Sequence, residues 1–121
     1  MTPVDDRATR VAEWKRLTEQ VLPALAKQHR WPLRLDHCFK RVCLDFAYDD
    51  VWYDHVQKPA ERHMSDEALQ GSIACANEIV EQGVPLLRLR NEASLRVRAL
   101  ARIRTASAKK KETQESLNLG D

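Results

Sequence analysis

Apolar side chains return every three or four positions through most of this chain, the spacing that puts them on one face of an α-helix. Val4, Ala8, Val11, Trp14, Leu17, Val21 and Leu25 form the first such stripe. Thr2 stands where a cap is wanted, Pro3 at the first helical position, and Asp5 and Asp6 in the first turn, so a helix is expected from there to about residue 29. Pro23 lies inside that run. A proline lacks the N–H donor and clashes with the preceding turn, which predicts a kink or a restart at that point.

Residues 31–35, WPLRL, read as an extended connection, because Pro32 pushes Trp31 away from helical angles. Asp36 is the expected N-cap of a second helix. At about 100° per residue, Cys38, Phe39, Val42, Cys43 and Phe46 share one flank of it, and His37, Arg41, Leu44, Asp45 and Tyr48 share the other. The pattern reaches residue 48. Read as continuing through YDDVWYDH to about residue 56, it adds Trp52 and His55 to the second flank.

Ser65 is the next cap, with Asp66 and Glu67 at the positive end of the helix dipole and Met64 and Leu69 at the positions of a hydrophobic staple. Leu69, Ile73, Ala76, Ile79 and Val80 make the apolar face of this third helix, and Gly83 is its expected stop. Pro85 can open a last helix whose buried stripe is Leu86, Leu89, Ala93, Val97, Leu100 and Ile103. The apolar period fades after about residue 105. The expected architecture is all-α, a single-domain bundle of about four main helices over residues 1–105, followed by a flexible charged tail over 106–121.

Composition changes this picture little. Three glycines in 121 residues are too few for a turn-rich sandwich or barrel. No window approaches the roughly 18 consecutive apolar residues of a membrane span, and MTPVDDRATR has no apolar core of a signal peptide. Three cysteines, an odd number, argue against a disulfide framework and for a reducing compartment, so a cytoplasmic protein is expected.

Charge changes it more. Residues 88–111 hold nine basic groups and one acid, within a chain whose net charge is only +2. Arg88, Arg98, Arg102, Lys109, Lys110 and Lys111 are therefore candidates for a salt-dependent grip on nucleic-acid phosphates.

The second helix is the other focus. Residues 31–55 hold two of the three tryptophans, two of the three cysteines and two of the four histidines. Its second flank mixes ionisable groups with aromatics, as a pocket does. Arg41 and Arg34 would hold an anionic group, and His37 would exchange a proton or a hydrogen bond. Asp45 would orient them, Trp52 would supply a flat wall, and Asn91 and Glu92 would close the site from the last helix. The competing reading is a central helix half-buried on both sides, with Arg41 paired to Asp45 at i,i+4. A metal centre is not expected: Cys38 and Cys43 would point about 140° apart on a helix, and no second ligand pair follows. No phosphate loop, nucleophile elbow or HExxH pair occurs, and no cofactor is implied.

The segments WPLRLDHCFKRVCLD, VWYDH and LRLRNEASLRVR, spanning about residues 31–98, resemble a pattern from small microbial proteins. In those, a Trp–Pro pair leads into a His–Cys–Phe helix and an Asn–Glu–Ala–Ser–Leu segment follows. The resemblance implies no activity and draws attention to Trp31, Pro32, Arg34, Asp36, His37, Cys38, Phe39, Arg41, Asp45, Trp52, Asn91, Glu92 and Ser94.

Three functional classes follow. The first is a helical domain binding a small anionic ligand in a polar-aromatic pocket on the 36–55 helix. The second is a nucleic-acid module using residues 88–111. The third is an interaction or scaffold domain without a small-molecule site, including self-association into a homo-oligomer.

Overall fold

In a computed structural model of the chain, the backbone is described for residues 6–119 and the side chains for residues 6–109. The proposed cap at Thr2, together with Pro3, Val4 and Asp5, lies outside the described residues. Within them the protein is an all-α bundle. Its elements are α1 (Arg7–Arg16), a π turn (Leu17–Val21), α2 (Leu22–His29), α3 (Asp36–Tyr48), a 3₁₀ turn (Trp52–Asp54), α4 (Ala60–His63), α5 (Asp66–Gln82) and α6 (Val84–Leu119). No described helix is long and apolar enough to cross a membrane.

Asp6 caps α1, its carboxylate accepting the Thr9 N–H at 2.8 Å. The restart expected at Pro23 takes the form of the π turn. There Leu22 donates to the Leu17 carbonyl, and Pro23 then enters in the first turn of α2, where no donor is required of it. Ser65 caps α5 by accepting the Ala68 N–H at 3.1 Å, and Gly83 ends it at φ 74°. Both follow the sequence reading. The cap of α3 is one residue earlier than expected: Leu35 occupies it, and Asp36 is the first helical residue, accepting the His37 N–H at 2.8 Å.

The core gathers where α3 crosses α5 and the α1–α2 rod. Trp14, Leu22, Phe39, Val42, Cys43, Leu69, Cys75, Ile79 and Leu87 are fully buried. Trp31 seals one end, stacked on His29 at 6.5 Å and edge-on to Phe39 at 6.3 Å.

Two expectations are corrected. The second helix does not run to residue 56. It stops at Tyr48, where Asp49 adopts a left-handed conformation (φ 53°) and donates to the Asp45 and Phe46 carbonyls. Aspartate tolerates this conformation because its short side chain can bond locally. The chain then folds back, and the Trp52 N–H reaches the Asp45 carboxylate at 3.1 Å. Trp52 thus lies beside α3 on a returning segment instead of on the same helix.

The second correction concerns α6. Its inward face carries Leu87, Arg90, Asn91, Ser94 and Arg98; of the stripe expected to be buried, Leu86 is buried and Ala93 and Val97 half-buried, while Leu89, Leu100 and Ile103 are 58%, 49% and 62% exposed. The reason is Asp45. A carboxylate sealed inside α3 must be given donors, and the polar stripe of α6 supplies them. The α6 backbone stays helical to Leu119, past the point where the apolar period fades. A direct consequence is that Leu100→Gln together with Ile103→Gln should shift urea stability by no more than about 0.5 kcal/mol per site, whereas Leu87→Ala should lose about 2–5 kcal/mol. A large loss from the outer pair would restore the register read from the apolar pattern.

Candidate functional site: a cationic cleft beside α3

Asp45 is the hub. Its side chain is 1% exposed, and its Oδ2 accepts from Ser94 Oγ at 2.6 Å and from Arg98 Nε at 2.8 Å. Its Oδ1 accepts the Trp52 N–H at 3.1 Å and an Arg98 terminal N–H at 3.4 Å. One carboxylate therefore joins α3, the returning 3₁₀ turn and α6. The Arg98 guanidinium also lies over the Tyr53 ring at 5.3 Å.

Arg41, one turn before Asp45, is a different kind of cation. One terminal nitrogen donates to Ser94 Oγ and the other to Asn91 Oδ1, each at 2.8 Å. Both acceptors are neutral. The i,i+4 ion pair with Asp45 of the competing reading is absent, and Ser94 stands between them, accepting from Arg41 and donating to Asp45. Burial, and then the charge of Arg98, lower the Arg41 pKa from its ordinary value. A guanidinium nonetheless keeps its proton in a protein. Among the described residues, no carboxylate forms an ion pair with it.

Arg41 opens onto a cleft of about 330 Å³ between α3 and the returning segment, lined by Trp14, His37, Lys40, Arg41, Leu44, Trp52, Lys58, Pro59, Ala60 and Glu61. That volume lies at the lower end of ordinary ligand sites. Three cations face one acid. Lys40 also pairs with Glu19 at 2.6 Å, and Lys58 lies over the Tyr53 ring at 5.1 Å. The walls are otherwise apolar. Trp14 is wholly buried against the cleft, and its indole N–H has no acceptor within hydrogen-bond reach. Buried indole N–H groups usually find a partner, and an unmet one costs about 1–3 kcal/mol.

The structure brings together His37 at the rim, Arg41 and Trp52 at the wall, and Asn91 behind Arg41. It sets the others apart. Arg34 is exposed and donates to the Trp31 carbonyl at 3.2 Å, away from the cleft lining. Glu92 is exposed on α6 and does not close the site. Asp45 lies behind the wall, where it positions Trp52 and Ser94 without touching the cleft. Lys40, Lys58, Leu44, Pro59, Ala60, Glu61 and Trp14 complete the lining, and the sequence reading does not mark them for it. Lys40 had a legible signal, standing three residues from His37 on the same helical flank. Lys58 and Trp14 had none, because they arrive from other elements.

Part of the basic segment is occupied. Arg98 is held by Asp45, Arg90 lies over the Phe46 ring at 3.9 Å, and Arg104 reaches Asp50 at 3.3 Å. Arg102 and Lys109 line a groove of about 400 Å³ with Tyr53, Asp54 and Arg98, whereas Arg88 lies at the far end of α6 against a separate hollow near Trp31. The side chains of Lys110 and Lys111 lie outside the described residues.

Asp50 also accepts from His55 at 3.0 Å and from the Val51 N–H at 2.8 Å, and these bonds, with Arg104, lower its pKa to about 2. A depressed carboxyl pKa stabilises the fold above the unfolded value near 4 and loses that contribution as pH falls through the folded value. Stability should therefore decline between about pH 4 and pH 2. In Asp50→Asn, urea titrations at stepped pH should show a shallower decline over that window. An unchanged slope would remove Asp50 from the acid response.

The cysteines divide by burial. Cys43 and Cys75 are buried and share a hydrogen bond across α3 and α5, which together with burial raises the Cys43 pKa well above its ordinary value, whereas Cys38 is half-exposed. A disulfide reagent should accordingly modify Cys38 alone in the native protein and all three cysteines in denaturant. Rapid native labelling of Cys43 or Cys75 would contradict this packing. Among the described residues, no group of three His, Cys, Asp or Glu side chains is placed to hold a metal ion.

No family model, curated protein or solved structure matches the chain.

Proposed function

We propose that this protein binds a small anion in the cleft beside α3, with Arg41 as the anchoring cation. The observation that carries the reading is a half-buried guanidinium whose partners are both neutral oxygens. Its charge is opposed by lost hydration and by Arg98, which outweigh the attraction of Cys38 and Asp45, and no carboxylate among the described residues pairs with it directly. An arginine held this way beside a cleft is a functional candidate on physical grounds. Asn91 and Ser94 fix the plane of the guanidinium. Lys40 and Lys58 add positive potential at the mouth, His37 at the rim is placed to exchange a proton with bound ligand, and Trp52 packs against the ligand body.

A second reading, nucleic acid along α6, draws on the groove where Tyr53 meets Arg98, Arg102 and Lys109. It ranks lower because Arg98 is bound to Asp45 and is not free to meet phosphates.

Calorimetric titration at low salt with acetate, with inorganic phosphate and with a single-stranded oligonucleotide separates the two readings. The first predicts saturable anion binding that Arg41→Ala removes and that Arg102→Ala with Lys109→Ala leaves intact. Oligonucleotide binding that disappears only in the Arg102/Lys109 pair, with no small-anion heat, overturns it in favour of the second.

A further inference from the structure

The outer side of α6 carries an apolar row that the bundle leaves largely uncovered. Leu86, Leu89, Ala93, Val97, Leu100 and Ile103 recur at steps of three and four, so they share one side of the helix. That side stands about 130° round the axis from the inward polar face, at 100° per residue. Leu86 is buried and Ala93 and Val97 are half-buried at its base, while Leu89, Leu100 and Ile103 are exposed. A single exposed leucine is ordinary. A row at this spacing is the seam along which one helix packs on another. From Leu89 to Ile103 it runs about 21 Å, at 1.5 Å per residue.

Charge says what covers it. Arg88, Glu92 and Arg96 stand along one side of the seam, and Arg90 and Arg104 along the other. Arg90 and Arg104 already reach Glu78 and Asp50. Arg88 and Arg96 are exposed, and among the described residues neither has an ion-pair partner. We propose that this face of α6 docks an acidic amphipathic helix of another protein. The partner's apolar residues pack on Leu89, Leu100 and Ile103, and its carboxylates meet Arg88 and Arg96.

Two other occupants fit less well. A second copy, laid α6 against α6, would bring the basic segment 88–111, with nine basic groups and one acid, against itself. Like charges facing each other across an interface are costly. An anionic lipid surface asks for a broad apolar face sunk below the headgroups. Here the apolar side is a narrow seam, and Glu92 and Arg96 on α6 would be carried towards the lipid with it. A partner helix needs only the seam, and it leaves both charges at the rim, where they steer the choice of partner.

The test titrates the full chain with a labelled peptide of about three heptads, leucine at its seam positions and glutamate beside them. A control peptide carries lysine in place of each glutamate, and fluorescence anisotropy reads both. The acidic peptide is expected to bind saturably and at least tenfold more tightly than the basic one. Leu100→Gln together with Ile103→Gln should weaken it at least tenfold, because the apolar contact is lost. Arg88→Glu together with Arg96→Glu should reverse the preference between the two peptides. This charge reversal carries the test should the glutamine pair fail to fold. Equal binding of both peptides, no saturable binding of either, or acidic-peptide binding untouched by the folded glutamine variant overturns the proposal. So does a dimer seen by light scattering that the glutamine pair dissolves, which would assign the seam to a second copy. Vesicles of equimolar phosphatidylcholine and phosphatidylserine that bind where the acidic peptide does not would assign it to a lipid surface.

Discussion

Asp45→Ala is expected to cost about 3–5 kcal/mol, a large share of the roughly 5–15 kcal/mol that keeps a domain folded. The carboxylate is 1% exposed and takes hydrogen bonds from Arg98, Ser94 and the Trp52 backbone. Its removal leaves the Arg98 charge, itself only 20% exposed, without a counterion. It also frees the returning segment from α3. Breaking one side of a buried pair is costly for this reason, even where the intact pair contributes little net stability. Asp45→Asn keeps the volume and loses the charge, so it should fall between wild type and alanine. Urea unfolding followed by far-ultraviolet circular dichroism measures all three. A loss below about 1 kcal/mol for alanine would mean the α6 polar stripe is not held by this carboxylate.

Arg41→Ala is expected to do the opposite: leave stability nearly unchanged and remove binding. In the folded protein its charge is opposed by burial and by Arg98, which outweigh the attraction of Cys38 and Asp45. Its partners tolerate its loss, since Ser94 still donates to Asp45 and the half-exposed Asn91 can turn to water. The change in unfolding free energy should stay within about 1 kcal/mol, the scale of a net hydrogen bond. Charge-assisted hydrogen bonds contribute about 1.5–3 kcal/mol each, so anion affinity should fall by roughly tenfold to a hundredfold. Arg41→Lys should restore only part of it, because an ammonium cannot hold Ser94, Asn91 and a ligand in one plane. An Arg41 whose loss unfolded the chain would be a structural group, and the cleft would lose its anchor.

These neighbours on α3 show what was legible in the sequence and what was not. The helical period of the chain is strong, and the local signals at Ser65, Gly83 and Pro23 each marked a boundary or break that the fold contains. The end of α3 was misread because YDDVWYDH keeps a plausible helical spacing. What stops the helix is a left-handed aspartate and a long-range bond from Trp52 to Asp45. Neither is a property of the local pattern. The face of α6 was misread for a related reason. Hydrophobic period places Leu89, Leu100 and Ile103 inward, but one buried carboxylate on another helix turns Ser94 and Arg98 inward instead. The same distinction runs through the cleft. His37 and Arg41 share a flank of one helix, so periodicity finds them. Lys58 and Trp14 reach it from a loop and from α1, and only the tertiary fold brings them there. The sequence reading has Asp45 orient Arg41 or His37, whereas in the structure it bonds Trp52, Ser94 and Arg98 behind the wall and neither of those two.

The central claim is that anions are held beside α3 by Arg41. Its most direct test is a two-dimensional ¹H–¹⁵N titration of the folded chain with acetate and, separately, with inorganic phosphate, reading backbone amides and arginine Nε–H groups together. The account predicts saturable shifts gathered at His37 to Leu44, at Trp52 and at Lys58 to Glu61, with the Arg41 Nε–H among the largest. Shifts confined to Arg102, Thr105 and Lys109 on α6, or scattered without saturation, would contradict it.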